Sequence, residues 1–426
     1  MNLSSWGKVK EIINPVSYIV KNLSDEIPKL DQCIPRGNGR SYGDSSLFSS
    51  IISYKPQDPI INFLPNNIIE VSSDILFSNL LEIIIPRGLL LPVMPGTSFV
   101  TIGGAIASDI HGKNHHISGS ISSFVEEIKL LTGNGEIYDI TPTKHSELFY
   151  ATLGGMGLTG LIISAKIKLL SISSPLIHQE VRRIYSLDES INALESSQSN
   201  YSTGWLDLTM KKNIKGIIFY GDHNLDSSLS DKAPSRFLSI PKHMPNNLLN
   251  KLTIYIFNKL YFLRNRNNFS LIHLRDFFFP LDSLRNWNNF YGSKGLLQFQ
   301  PIFPTQNSRK AIAEIHKYIH TNKMTPMLAV IKNYKKGNDD YLSFAIEGIS
   351  IAIDFVNSRH NRFHVKNMNK LVQKYDGKIY LSKDFLLDEE SFKTFYPNWK
   401  KFNQIRKEYG SDIFTSNQSI RIGLDQ

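Results

Sequence analysis

Two glycine-rich runs early in the chain, residues 34–46 (IPRGNGRSYGDSS) and 95–116 (PGTSFVTIGGAIASDIHGKNHH), restrict its fold more than any other feature. In the first, Gly37, Gly39 and Gly43 let backbone N–H groups approach a ligand closely, as a diphosphate cradle requires. The spacing is G-x-G-x-x-x-G, followed by Asp44, Ser45, Ser46 and a loop-like Phe48-Ser49-Ser50, so a Rossmann site is not expected. Taken alone, the run is equally a glycine turn without a ligand. In the second, a Pro-Gly turn leads through Thr101-Ile102-Gly103-Gly104 into the helix formers Ala105, Ile106 and Ala107. Gly103 and Gly104 then sit where a helix begins, and free N–H groups with the positive end of the helix dipole favour phosphate there. Two cradles about seventy residues apart point to one diphosphate-containing cofactor.

The chain has 426 residues. One core usually splits beyond roughly 250–300 residues, so at least two domains are expected. Hydrophobic residues make up 41% and charged residues 20%, with 25 Phe and 18 Tyr, enough to fill a large core and exclude a disordered chain. The single cysteine, Cys33, excludes an intramolecular disulfide and a cysteine metal cluster, and fits a reducing compartment. A net charge of +10 suits nucleic acid, an anionic membrane surface or a phosphorylated substrate without choosing among them. No signal-type apolar stretch opens the sequence, and nothing approaches ~18 uncharged apolar residues. The expectation is a cytoplasmic protein with neither signal peptide nor transmembrane span, with room for peripheral contact at the inner membrane.

Residues 126–141 (EEIKLLTGNGEIYDIT) read as a hairpin about Asn134-Gly135. Residues 146–153 read as a short helix ended by Gly154-Gly155, and 161–170 alternate like a strand. Residues 309–322 place Ala311, Ile312, Ile315 and Ile319 on one helical face, and 350–356 (SIAIDFV) read as a buried strand. The pattern is α+β without internal repeats, and a composition shift puts a boundary near 170–178.

The polar string Asp109-Ile110-His111-Gly112-Lys113-Asn114-His115-His116 holds three histidines. No metal is expected: Gly112 and Asn114 break the helix that would align His111 with His115, and there is no H-E-x-x-H. One reading is a solvated loop. The other has His111 and Lys113 facing a pocket, His111 orienting a reacting hydroxyl and Lys113 holding an anionic group.

IPRGNGRSYGDSS, PGTSFVTIGGAIASDIHGKNHH, LLTGNGEIYDIT and ELFYATLGGMGLTGLI resemble, in order and spacing, the FAD-binding half of the vanillyl-alcohol oxidase superfamily. The RSYGD and DIHGKNHH strings are most similar to decaprenylphosphoryl-β-D-ribose 2-oxidases, which oxidise the ribose C2 hydroxyl on a polyprenyl phosphate. The similarity continues through YSTGWLD (201–207), FPLDSLRNWNNFYGSKGLLQFQPIFPT (279–305) and IYLSKD (379–384), and is weakest over 211–275. It implies a two-subdomain, PCMH-type FAD-binding domain over 1–175, an inserted α+β substrate domain over 176–375, and a C-terminal segment, 376–426, returning to the FAD domain.

By similarity, Pro35, Arg36, Gly37, Asn38, Gly39, Arg40, Ser41, Tyr42, Gly43, Asp44, Ser45, Gly96, Thr101, Ile102, Gly103, Gly104, Ser108, Asp109, Ile110, His111, Ile163 and Tyr380 contact FAD, with Tyr42 by the isoalloxazine. Lys383 is the candidate base, taking the hydroxyl proton while hydride leaves the sugar carbon for flavin N5. A lysine does this only if burial or neighbouring cations lower its pKa, which a pocket shared with Lys332 and His111 provides. Lys332 also suits a phosphate clamp. Gln298 and Gln300 share one face of a strand about Phe299, and Lys113, Trp205 and Ser350 complete the substrate side. Any one of these alone reads as a solvated surface residue; the surrounding motif raises them above that. Mycobacterial members carry Asn and Cys where this chain has Ser350 and Ala352, before Asp354-Phe355, and a Tyr ahead of the PLD string is here Phe278. These differences bear on pocket shape and sugar preference.

Residues 242–275 (KHMPNNLLNKLTIYIFNKLYFLRNRNNFSLIHLR) are basic, apolar and free of acidic residues. They read either as a core element with cationic rims or as a membrane-facing flap for a lipid-linked substrate. The functional expectation is FAD-dependent oxidation of a polyprenylphosphoryl ribose to its 2-keto form, with a short-chain NAD(P)H-dependent keto-reductase as pathway partner completing an epimerisation to arabinose. The alternatives are an aldonolactone or sugar oxidase or dehydrogenase acting on a soluble sugar, and a basic nucleic-acid-binding protein on a relic flavin fold. No R-G-G repeat, helix-turn-helix string or RNP motif supports the last, so nucleic acid is not expected.

Members of the aldonolactone-oxidase branch attach flavin covalently to a histidine in a G-H-S string, where this chain reads Gly39-Arg40-Ser41. FAD is therefore expected to be non-covalent. Denaturing the purified yellow protein should release free FAD and leave a colourless chain, read from the visible spectra of supernatant and precipitate. Flavin retained on the polypeptide would overturn the reading of Arg40.

Overall fold

The computed structural model describes residues 2–22, 32–226, 238–242, 244–245, 248–337 and 341–425. Val125–Leu131 and Ile137–Ile140 form the expected hairpin, with Gly135 at φ 84° in its turn, a conformation glycine adopts without steric cost. Leu161–Lys168 pairs with Val125–Leu131 on one side and Ile68–Ser72 on the other, and Ile61–Leu64 completes a five-stranded antiparallel sheet. The expected helix forms as Ser146–Thr152. Beside this sheet lies a three-stranded parallel one in which Ser50–Tyr54 is flanked by Val16–Val20 and Ile34–Pro35. The latter strand runs straight into the first glycine-rich run.

From Leu176 to Ile379 the chain builds a nine-stranded sheet whose pairings are antiparallel throughout. Gly348–Val356 is at its heart: it pairs with Ala329–Tyr334 along one edge and with both Leu296–Phe299 and Pro301–Pro304 along the other. Seven of its nine residues are apolar or glycine, Ser350 and Asp354 being the other two, and seven are buried, because helices cover the sheet face opposite the site. One of these helices, Thr305–Thr321, buries Ala311, Ile312, Ile315 and Ile319 as expected. It starts four residues before 309 because its first turn, Thr305-Gln306-Asn307-Ser308, carries no apolar residue that spacing could detect.

Residues 242–275 hold the helix Lys251–Arg264 and the edge strand Asn268–His273; His243, Asn246 and Asn247 lie outside the described residues. After Gly377 the chain returns to the glycine-rich run. Cys33 bridges to Phe414, and Arg406, buried, pairs with Asp425 at 2.8 Å and donates to the Leu158 and Phe414 carbonyls. Arg421 reaches Asp44 at 2.7 Å and Asp384 at 2.9 Å, both carboxylates nearly buried, and so ties the glycine run to the segment that carries Lys383.

Removing Arg421 leaves two buried like charges facing one another. Deleting one partner of a buried ion pair typically costs about 3–5 kcal/mol. Arg421→Met is therefore expected to lower the unfolding free energy extrapolated from urea melts by about 3–5 kcal/mol, seen as a lower midpoint with an unchanged slope; an unchanged midpoint would show that the cluster is not a structural tie.

Candidate functional site

The two glycine-rich runs meet. A Cβ on Gly37 would lie 2.3 Å from Thr101 Oγ1, one on Gly103 would lie 2.9 Å from Ser73 Cβ, and Gly39 sits at φ 60°. Arg36 N–H donates to the Ile52 carbonyl at 2.9 Å, fixing where the first run leaves its strand. From there on, the N–H groups of Gly37, Asn38, Gly39, Arg40 and Ser41 have no hydrogen-bond acceptor among the described residues. A run of unpaired amides beside backbone that tolerates no side chain is a built anion cradle.

The second run works differently from the expectation. Its helix, Ile102–Ala107, has only six residues, and its first N–H groups are already engaged: Ile102 with the Ile75 carbonyl, Gly103 with the Ser73 carbonyl, and Gly104 with the Thr101 hydroxyl at 3.1 Å. Gly103 and Gly104 therefore offer a close, side-chain-free wall rather than free donors. The first run supplies the amides and the second supplies the surface against which they close.

Together they line one side of a cavity of about 610 Å³. Pro35, Arg36, Gly37, Asn38, Gly39, Arg40, Ser41, Tyr42 and Ser45 come from the first run, and Gly96, Thr101, Gly103, Gly104, Ser108, Ile110 and His111 from the second. The opposite wall is the nine-stranded sheet, which contributes Gln298, Gln300, Lys332, Tyr334, Ser350 and Ala352. Tyr380 and Lys383 close the end between them.

The polar end is buried and positively biased. Lys383 Nζ lies 3.6 Å from the Tyr42 ring centroid. Burial pushes the Lys383 ammonium down to about 7; Asp354 opposes that and Lys332 adds to it. Burial brings Lys332 down to about 8. His111 Nε2 meets the Gln300 side-chain amide at 3.0 Å. Burial, with the cations around it, holds His111 well below the usual imidazole range, so it is neutral. Asp354, raised to about 6 by burial, accepts from Gln298 at 2.6 Å and from the Tyr291 hydroxyl at 3.2 Å. Tyr380 donates to the Ser108 carbonyl at 2.7 Å and Ser350 to the Pro301 carbonyl at 3.0 Å, which leaves both held rigidly in the wall.

Seven expected site residues lie elsewhere. Gly43 is packed on the Asp384 carbonyl, Asp44 pairs with Arg421, and Asp109 accepts from Ser120 and Ser122, so all three brace the wall from behind. Ile102 and Ile163 point their side chains into the core. Lys113 does not line the cavity; it donates to the Phe277 carbonyl and lies 4.2 Å from the Phe277 ring centroid. Trp205 packs edge-on against Tyr261 at 4.9 Å, and its ring is taken up by that contact rather than by the cavity. Of the other histidines, His115 lies against the Tyr334 ring, which His111 also meets at 5.2 Å, and His116 meets the Ser199 carbonyl.

Other wall residues were missed. Tyr334 was within reach, since it is two residues beyond Lys332 on one strand and so shares its face. Trp6 and Trp287 were not, because they reach the cavity from distant loops: Arg40 lies 4.3 Å over the Trp6 ring, which in turn meets Trp287 edge-on at 6.1 Å.

The arrangement suits a dinucleotide. The unpaired amides of 37–41 face the cavity, and the buried His111 Nδ1 and Arg40 Nε have no hydrogen-bond partner among the described residues. At about 610 Å³ the cavity falls within the ~300–1,000 Å³ of organic-ligand sites.

The FAD binding domain family matches residues 28–141, and the D-arabinono-1,4-lactone oxidase family matches residues 302–420. The chain is 34% identical to decaprenylphosphoryl-β-D-ribose oxidase of Mycolicibacterium smegmatis, over 92% of this chain and 89% of that protein. It is 24% identical to an uncharacterized Streptomyces coelicolor protein over 81% of this chain and 99% of the other. Cytokinin dehydrogenase 3 of Oryza sativa subsp. japonica is 34% identical over 29% of this chain and 23% of its own length.

Three buried lysines set the stability of the ligand-free protein against pH. Lys113 and Lys383 lie at about 7 and Lys332 at about 8, against an ordinary 10.5, so across that interval the unfolded chain binds more protons than the folded one. Their stabilising effect is complete above the unfolded value and is lost as pH falls through 8 to 7. The urea midpoint should rise from about pH 7 to about pH 9, and Lys113→Met should reduce that rise. A flat or falling midpoint would refute the lowered values.

Proposed function

This chain belongs to the decaprenylphosphoryl-β-D-ribose oxidase family, and from that premise we propose that it oxidises the C2 hydroxyl of a polyprenylphosphoryl-β-D-ribose to the ketone. It is an FAD-dependent oxidoreductase with the two-domain α+β fold of PCMH-type flavoproteins. The observation that carries the reading is the buried Lys383, lowered to about 7, at the closed end of a cavity whose other side is the amide cradle.

The residues that would hold the cofactor are the 37–41 amides, with Thr101, Gly103 and Gly104 as the wall behind it and Tyr380 at its end. When bound, FAD would supply the two-electron acceptor for the oxidation at C2. The chain's own residues do the rest. Neutral Lys383 takes the hydroxyl proton as the carbonyl forms; the sugar is oxidised and the lysine leaves the step as an ammonium. Lys332 supplies positive charge for the phosphate, and Gln298 and Gln300, fixed by Asp354 and His111, orient the sugar hydroxyls. The buried walls exclude water from a site where proton and hydride leave adjacent atoms. The 2-keto product calls for a reductase, and a short-chain NAD(P)H-dependent keto-reductase is the proposed pathway partner.

The match of residues 302–420 to D-arabinono-1,4-lactone oxidase favours a second reading, oxidation of a soluble sugar or lactone. Anaerobic titration of the yellow holoprotein separates the two. A polyprenylphosphoryl ribose should bleach the flavin; bleaching by an aldonolactone alone would replace the first reading with the second. Lys383→Met should slow bleaching by about 10²–10⁴-fold with little change in flavin content. The wild-type rate should rise as pH passes about 7, because the neutral amine is the active form. A rate that falls through that interval would exclude Lys383 as the base.

A further inference from the structure

The helix Lys251–Arg264 is apolar on two opposite sides. One side is used: Ile254 packs with Tyr291, Leu296 and Met327, and Phe262 with Val181, Trp205 and Ile217. On the other side Leu252, Ile256, Leu260 and Leu263 recur at i, i+4, i+8 and i+11, with Phe257 beside them, and all five are between 47% and 65% exposed. A helix with a second apolar stripe turned to solvent has an unused docking face.

This face is not a frayed segment. Asn250 and Thr253 form a capping box at its N-terminus, and Arg183 donates to the Phe262, Leu263 and Asn265 carbonyls at its C-terminus. Asn258, buried, donates to Asp207 at 2.8 Å and pins its middle. The helix is thus held in place with its apolar stripe outward. It also stands one side-chain layer from the cavity: Ile254 shares a cluster with Tyr42 and Trp287, and Tyr261 packs near Leu328, and Tyr42, Trp287 and Leu328 all line the cavity.

We propose that this helix docks the protein on an anionic lipid surface, with Leu252, Ile256, Leu260 and Leu263 entering the interface and Lys251, Lys259, Arg264 and Arg266 meeting the head groups. Charge complementarity selects that occupant. Residues 242–275 hold no aspartate or glutamate, and these four cations are exposed at the edges and ends of the stripe. Among the described residues no helix is long and apolar enough to cross a membrane, so contact here is with the surface. The purpose of docking rests on the lipid-linked substrate proposed above: a chain anchored in the bilayer can present its sugar to a cavity whose wall is this helix's neighbour. The face itself does not depend on that reading.

The test is sedimentation of the FAD-loaded protein with vesicles of phosphatidylcholine alone and of phosphatidylcholine mixed with phosphatidylglycerol. Binding is expected to the mixed vesicles at low salt and to weaken about fivefold for each cation removed by Lys251→Gln or Lys259→Gln. Ile256→Asp with Leu260→Asp, at positions outside the cavity, should abolish sedimentation while flavin content and bleaching by a short-chain, water-soluble substrate analogue stay unchanged. No binding to the mixed vesicles overturns the proposal. So does a wild-type dimer in solution that the double variant converts to monomer, since a second copy would then own the face. Vesicle binding with no oxidation of any lipid-linked sugar would instead keep the docking face and defeat the function; oxidation in detergent without vesicle binding would do the reverse.

Discussion

The rest of the molecule depends on a contact in which a side chain is missing. Thr101 Oγ1 occupies the place where Gly37 would carry its Cβ, and the Asp384 carbonyl lies 1.7 Å from that place on Gly43. These approaches bring the first glycine run against both the second run and the segment bearing Lys383. Any larger residue would push them apart. Among the described residues the amides of 37–41 are left without acceptors. Cofactor cradle and proton-accepting end are therefore set by a single packing event.

The second constraint is electrostatic. Lys332 and Lys383 are buried at one end of the cavity with a neutral His111, and Asp354 lies behind the Gln298 side chain. Burial makes the charged form of each lysine less favourable and the Lys332 cation adds to this at Lys383, so a lysine becomes a base near neutral pH. Asp354 limits the effect. The cluster leaves one region of the cavity suited to an anionic group and to a hydroxyl about to lose its proton, and on the sheet wall the apolar Val330 and Ala352 lie between the Lys332–Ser350 pair and the Gln298–Asp354 pair.

Much of this was legible in the sequence, for reasons tied to particular residues. The hairpin at Asn134-Gly135 could be read because its turn demands positive φ, and Gln298 and Gln300 could be placed on one face because strand alternation is local. Sequence order could not reveal that Gly103 and Gly104 use their N–H groups internally, because the acceptors, Ser73 and the Thr101 hydroxyl, come from folding and from capping. Lys113 looked like a partner of His111 because they are two residues apart, yet the backbone between them turns the two side chains to different places. Trp205 failed for another reason: it pairs with the cavity-lining Val330, but Tyr261 and Phe262 from a helix distant in the chain take up its ring. The two-sided apolarity of Lys251–Arg264 was visible in composition, but which side stays bare was decided by Arg183 and Asp207, distant in the chain.

The ion cluster of Arg421 with Asp44 and Asp384 joins residues 377 and 37 positions apart. Its geometry has a bearing on timing. During synthesis the glycine run emerges early, but the cation that clamps it emerges only after the whole nine-stranded sheet has been made. The amide hollow consequently has no lasting shape on the growing chain. Flavin capture belongs to the closing moments of folding, when released polypeptide and free dinucleotide meet, and the supply of that dinucleotide becomes a factor in how much polypeptide reaches its finished form.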